Sequence, residues 1–161
     1  MTALPLDIDK LKNQYKVTVV LWFAMVVSII IYLGIGLFLS KIGRSSNSTD
    51  FKFIFYVLSV ISILFPKFFK SFLLSEERIS RALSQGVHNL GGLLLASCMV
   101  TFAFCESIAV YALIMCILWG AESDFYILMA ISMISFVLNY PRFDFWQETY
   151  RKALLYRDGR I

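Results

Sequence analysis

Charge is scarce in this sequence. Asp, Glu, Lys and Arg make up 16% of its 161 residues, against 59% hydrophobic ones, and mean hydropathy is +0.74. A soluble domain carries about 25% charged residues, and a water-soluble fold of this length could not hide so much Leu, Ile, Val and Phe. A soluble enzyme is therefore excluded. Disorder is excluded as well, since it requires low hydrophobicity and high charge. There is one histidine, His88, and three cysteines confined to 98–116 with no C-x-x-C spacing. Neither disulfide nor zinc spacing is present, and no metal is expected. No Walker loop, dinucleotide glycine pattern or H-E-x-x-H occurs, so no cofactor is implied. The serines lack a His–Asp constellation, which leaves hydrolysis without support.

Long apolar runs are plentiful. Four segments read as transmembrane helices, at about 17–39, 51–74, 90–119 and 125–140. Crossing the hydrocarbon core takes about 20 apolar residues, and the first and third runs meet that outright. The second passes through Pro66, whose freed backbone group neighbouring helices can satisfy. The fourth is short and ends at Asn139-Tyr140-Pro141. The runs are continuous rather than alternating, which favours helices over strands. The first run is too long for a signal peptide and lacks a small-residue cleavage pattern behind it. The expected fold is an all-α integral membrane domain of four spans covering 1–161.

Lys10, Lys12 and Lys16 precede the first span. Lys67, Lys70, Arg78 and Arg81 lie between the second and third, and Arg142, Arg151, Lys152, Arg157 and Arg160 follow the fourth. Twelve of the fifteen basic residues thus share one side, with Lys41, Arg44 and Lys52 opposite. The positive-inside rule puts both termini and the middle loop in the cytoplasm. The net charge of +4 then describes a basic rim facing anionic headgroups. Nucleic acid is not an expected partner, because the basic residues are scattered and no nucleic-acid motif accompanies them.

Two cytoplasmic stretches are amphipathic. SEERISRALSQG reads as one short helix ended by Gly86. In the tail, 141–161, Trp146 and Tyr150 recur with Ala153 and Leu154 at helical spacing. Such a helix is expected at the membrane interface with its aromatic face down, or as a docking helix for a cytoplasmic partner.

The first and third spans are alike. Phe23–Leu39 and Phe102–Leu118 share seven of seventeen positions without a gap, including Ser28 with Ser107 and Tyr32 with Tyr111. FYVLSVIS at Phe55 parallels FYILMAIS at Phe125. The pattern suggests two tandem helical hairpins as parallel repeats about an axis along the membrane normal.

The two copies differ at one position of consequence, where Val27 corresponds to Glu106. Glu106 is the one ionisable residue of the Asp, Glu, Lys, Arg and His set deep within any span. An ionised group there costs about 2.5–3.5 kcal/mol on insertion scales, and such residues mark functional sites by default. It must be protonated, paired with another chain or bound to a cation. At 100° per residue, Cys98, Thr101, Cys105, Ala109, Ala112 and Cys116 form a small-residue packing seam that lets a helix approach closely. Glu106 stands at the seam's edge. Ser107 and Tyr111 are the expected supporting hydrogen-bond donors, and Ser59, Ser62, Ser132, Ser135 and Asn139 are candidate partners from other helices.

Ala103–Leu118, AFCESIAVYALIMCIL, resembles the carboxylate-bearing second helix of the c-type proteolipid subunits of rotary ATPases. There a Glu and a small residue precede an aliphatic-Tyr-small-aliphatic stretch. The resemblance spans sixteen residues and implies that Glu106 is a proton- or sodium-carrying carboxylate. Duplicated hairpins with one carboxylate also occur among the vacuolar-type members, which parallels Val27 against Glu106. The expected function is a small membrane subunit, coupled to a proton or cation through Glu106 in a homo- or hetero-oligomer. The alternative is a non-transporting structural or assembly subunit that recruits a partner through its tail. A membrane enzyme acting on lipid lacks the polar cluster it would need.

Overall fold

The computed structural model describes residues 5–40 and 52–157, with side chains over 9–39 and 52–155. Lys41 and Arg44, with the rest of the loop joining the first two spans, and Arg160 near the other end of the chain lie outside the described residues. The described chain is all-helical: α1 Pro5–Ser40, α2 Lys52–Leu73, α3 Glu76–Ser84, α4 Val87–Trp119, α5 Glu122–Leu138 and α6 Phe143–Arg157.

Local chemistry accounts for these limits. Proline at the head of α1 occupies a position whose amide needs no helical acceptor. In α2, Pro66 is buried and the helix continues past it. Glu76 and Glu77 in the first turn of α3 complement the positive helix end. Gly86 at φ 124° and Gly120 at φ 60° make the turns into α4 and α5, a backbone region that disfavours other residues. The Asn139 side chain donates to the Ser135 carbonyl at 2.8 Å, closing α5 before Pro141.

Three helices are long and apolar enough to cross a membrane: α1 over Asp9–Leu39, α2 and α4. The fourth expected span corresponds to α5, which at 17 residues is about 26 Å long and falls short alone. It reaches span length only together with α6, from which it bends by 50°. The membrane-like architecture of three to four apolar helices places the chain among multi-pass membrane proteins.

The chain divides into two compact units. Unit 1 comprises Met1–Trp22, Phe68–Val100 and Pro141–Ile161; unit 2 comprises Phe23–Lys67 and Thr101–Tyr140. Unit 1 closes around Leu11 of α1, Ile79 and Leu83 of α3, Leu90 and Leu94 of α4, and Trp146, Tyr150 and Ala153 of α6. Tyr15 anchors it, with its ring edge-on to Trp146 at 5.9 Å and its hydroxyl donating to the Pro141 carbonyl at 3.1 Å. This corrects the expectation for the tail. Trp146 is 1% exposed and Tyr150 7%, so neither side chain is presented to headgroups or to a partner. The apolar faces of α3 and α6 cover each other, and charged Glu148 and Lys152 remain outside as an i, i+4 pair at 2.8 Å.

In unit 2, α4 lies among α1, α2 and α5. Ser28 meets Glu106 and Gly36 meets Cys116, so α1 runs in the same direction as α4. Ser62 meets Ser107 while Phe55 meets Trp119, so α2 runs against it. Ser132 meets Cys105 while Phe136 meets Phe102, so α5 does likewise.

Candidate functional site around Glu106

Glu106 sits midway along α4, half-buried, in a helix otherwise apolar in this stretch. Its partners come from α1. The Ser28 hydroxyl lies 2.5 Å from Oε1 and the Tyr32 hydroxyl donates to the same oxygen at 3.1 Å. Oε2 accepts no hydrogen bond from a described residue, and no Lys, Arg or His among the described residues pairs with the carboxyl. Ser28 and Tyr32 are one turn apart, so a single face of α1 presents both hydroxyls.

Ser28 has one proton and two acceptors in reach, because its Oγ is also 2.8 Å from the Met25 carbonyl. The arrangement suits both states of the acid. An ionised Glu106 accepts the hydrogen bond that Ser28 donates. A protonated Glu106 donates to Ser28 Oγ, whose own hydrogen then turns to the Met25 carbonyl. Either way each hydrogen has an acceptor, which is what a low-dielectric site demands.

The residues expected to support Glu106 are engaged elsewhere. Ser107 reaches Ser62 at 3.1 Å and its own Phe104 carbonyl at 2.8 Å. Tyr111 packs on Phe55, ring centroids 5.9 Å apart. One residue of helix advance turns a side chain by 100°, so Ser107 and Tyr111 face α2 while Glu106 faces α1. Among the other candidates, Ser59 bonds the Phe55 carbonyl, Ser132 bonds the Cys105 carbonyl at 2.8 Å, and Asn139 turns to Ser135 and Cys105. The residues that meet Glu106, Ser28 and Tyr32, align with Ser107 and Tyr111 in the similar sequence segment of α1. The paired Ser and Tyr were visible in the sequence; which member of each pair serves the acid was not.

The seam residues fall on interior surfaces. Within unit 2, Thr101, Cys105, Ala109, Ala112 and Cys116 are buried. Cys105 accepts from α5 through its carbonyl, and the Cys116 thiol approaches the Gly36 carbonyl of α1 at 3.9 Å. Cys98, in unit 1, is half-buried. Near the starts of α2 and α5, Lys52 pairs with Asp124 at 3.1 Å and Tyr56 donates to the same carboxylate at 2.8 Å. Among the described residues no cluster of three or more His, Cys, Asp or Glu could hold a metal ion. Compared with family models, curated proteins and solved structures, the chain matches none.

Proposed function

We propose that this chain is a small multi-pass membrane subunit that loads and releases a proton or cation at Glu106. The observation that carries the reading is an acid inside a membrane-length apolar helix, met by two hydroxyls and by no cation among the described residues. Both hydroxyls engage Oε1, the oxygen that carries the proton when Glu106 donates to Ser28, and Oε2 is left to hold a cation or meet a group of another chain. Ser28 supports exchange because it can bond either protonation state without leaving a hydrogen unpaired. The likeness of Ala103–Leu118 to the c-type proteolipid helix points to the same chemistry. On this reading the chain crosses the membrane four times, as two tandem hairpins with both termini in the cytoplasm, and works as part of an oligomer.

A second reading has its own observation. Ser28 and Tyr32 tie α1 to α4 through Glu106, and interhelical hydrogen bonds of this kind hold membrane bundles together at about 0.6–2 kcal/mol each. Glu106 would then be a packing link in a structural subunit.

Carbodiimide labelling of the purified protein, mapped by peptide mass across pH with Glu106→Gln as control, separates the two. A single adduct on Glu106 that fades at alkaline pH, or that sodium blocks, is the expected result. No labelling at any pH, together with unchanged stability of Glu106→Gln, assigns the residue to packing.

A further inference from the structure

The end of α2 carries an arrangement that the Glu106 reading leaves unused. Ile61, Leu64, Phe68 and Phe72 recur every three or four residues along one side of α2, and all are exposed, Phe68 by 72% and Phe72 by 54%. In unit 1 this stripe ends on a cation. The Arg78 guanidinium lies 4.2 Å over the Phe72 ring. Arg78 is exposed and forms no ion pair with a described residue. Glu77, the adjacent acid, is taken by Arg81 at 2.7 Å.

A guanidinium stacked on a ring keeps its in-plane N–H donors free, and their fork matches the oxygens of a phosphate. An apolar stripe leading to a fixed cation has the layout of a phospholipid, acyl chain first and phosphate next. A soluble phosphate compound would have no use for the exposed rings, whereas a lipid fills both parts. We infer that Phe68, Phe72 and Arg78 form a binding surface for a membrane phospholipid with an anionic headgroup. Arg78 takes the phosphate and the two rings lie along the glycerol and upper acyl chain. The inference needs α2 to lie in a bilayer and is independent of Glu106.

The test is native mass spectrometry of the full chain in detergent, titrated with phosphatidylglycerol or phosphatidylcholine. Variants are Arg78→Gln, Phe68→Ser and, as control, Arg81→Gln. One basic residue near an anionic surface is worth a factor of about five in binding. Wild-type protein should retain phosphatidylglycerol over phosphatidylcholine. Arg78→Gln should lose about fivefold in phosphatidylglycerol retention, Phe68→Ser should weaken both lipids, and Arg81→Gln should change neither. Thermal unfolding without added lipid should be the same for Arg78→Gln and wild type, since the side chain is exposed. Equal retention of the two lipids by wild type, equal losses in Arg78→Gln and Arg81→Gln, or full displacement of lipid by millimolar inorganic phosphate would each overturn the assignment.

Discussion

Unit 1 buries Leu11, Ile79, Leu83, Leu90, Leu94 and Trp146, and leaves Lys12, Glu77, Arg81, Glu148 and Lys152 outside. Unit 2 reverses much of that. Ser59, Ser62, Thr101, Cys105, Ala109, Ala112 and Ser132 are inside, together with larger groups such as Phe102 and Phe125. Val27, Ile31, Phe53, Val60, Ile134 and Val137 are outside. Water drives apolar side chains inward. Lipid provides no such drive, so interfaces there fill with small residues and hydroxyls that let helices come close. The two units therefore differ in how they pack. Unit 1 closes an apolar core beneath charged helix faces while Phe68 and Phe72 stay exposed, and unit 2 has the construction of a bundle in hydrocarbon.

The sharpest way to break this comparison is to truncate one large side chain in each environment. Trp146→Ala should cost about 3–5 kcal/mol, the usual penalty for emptying a buried aromatic site. Ile134→Ala, at an exposed position of α5, should stay within about 0.5 kcal/mol. Thermal unfolding in detergent micelles reads both. Similar losses for the two variants would mean that a further surface covers Ile134.

A second test lies within α1. A methyl on Gly36 would clash with the far edge of the ring of Phe125, which is itself buried. Gly36→Ala should cost about 1–3 kcal/mol by overpacking. Two residues earlier, a methyl on Gly34 meets nothing within 4 Å, so Gly34→Ala should gain about 0.5–1 kcal/mol from helix propensity. Opposite signs at neighbouring glycines are expected of a helix with one face on protein and the other on lipid. A loss at both positions would mean that a further surface covers Gly34.

Much of this was legible in the sequence. The apolar runs, the Gly86 break and the short helix before it follow from composition and turn chemistry acting locally. The position of Glu106 within an apolar helix was legible too, because an acid in an apolar run needs no structure to be conspicuous. What met Glu106 was not. Ser107 is its neighbour in sequence but 100° away around the helix, and the true partners are supplied by α1, 78 and 74 residues earlier. The tail misled for a related reason. An amphipathic helix has the same apolar face whether membrane or protein covers it, and only the matching surfaces of α1, α3 and α4 decide that Trp146 and Tyr150 turn inward. Local pattern thus locates faces; long-range pairing chooses what covers them.

The finest comparison is between Ser28 and Ser107, which occupy equivalent positions in the two similar segments. Each hydroxyl reaches back to a carbonyl three residues earlier at 2.8 Å, and each bonds one other helix. Ser28→Ala and Ser107→Ala should therefore cost stability alike, about 0.6–1 kcal/mol for one lost interhelical hydrogen bond. Their effect on Glu106 should differ. Removing the Ser28 hydroxyl frees Oε1 from one of its two ties to α1, so carbodiimide labelling of Glu106 should speed up about threefold to fivefold, the factor equivalent to that lost bond. Removing the Ser107 hydroxyl disturbs only Ser62 and should leave the labelling rate unchanged. Tyr32→Phe and Tyr111→Phe should repeat the pattern with a smaller change, since the Tyr32 contact is the longer of the two at 3.1 Å. Equal labelling in Ser28→Ala and Ser107→Ala would mean that the two segments are interchangeable around the acid. The asymmetry between Val27 and Glu106 would then have no counterpart in the hydroxyls that surround them.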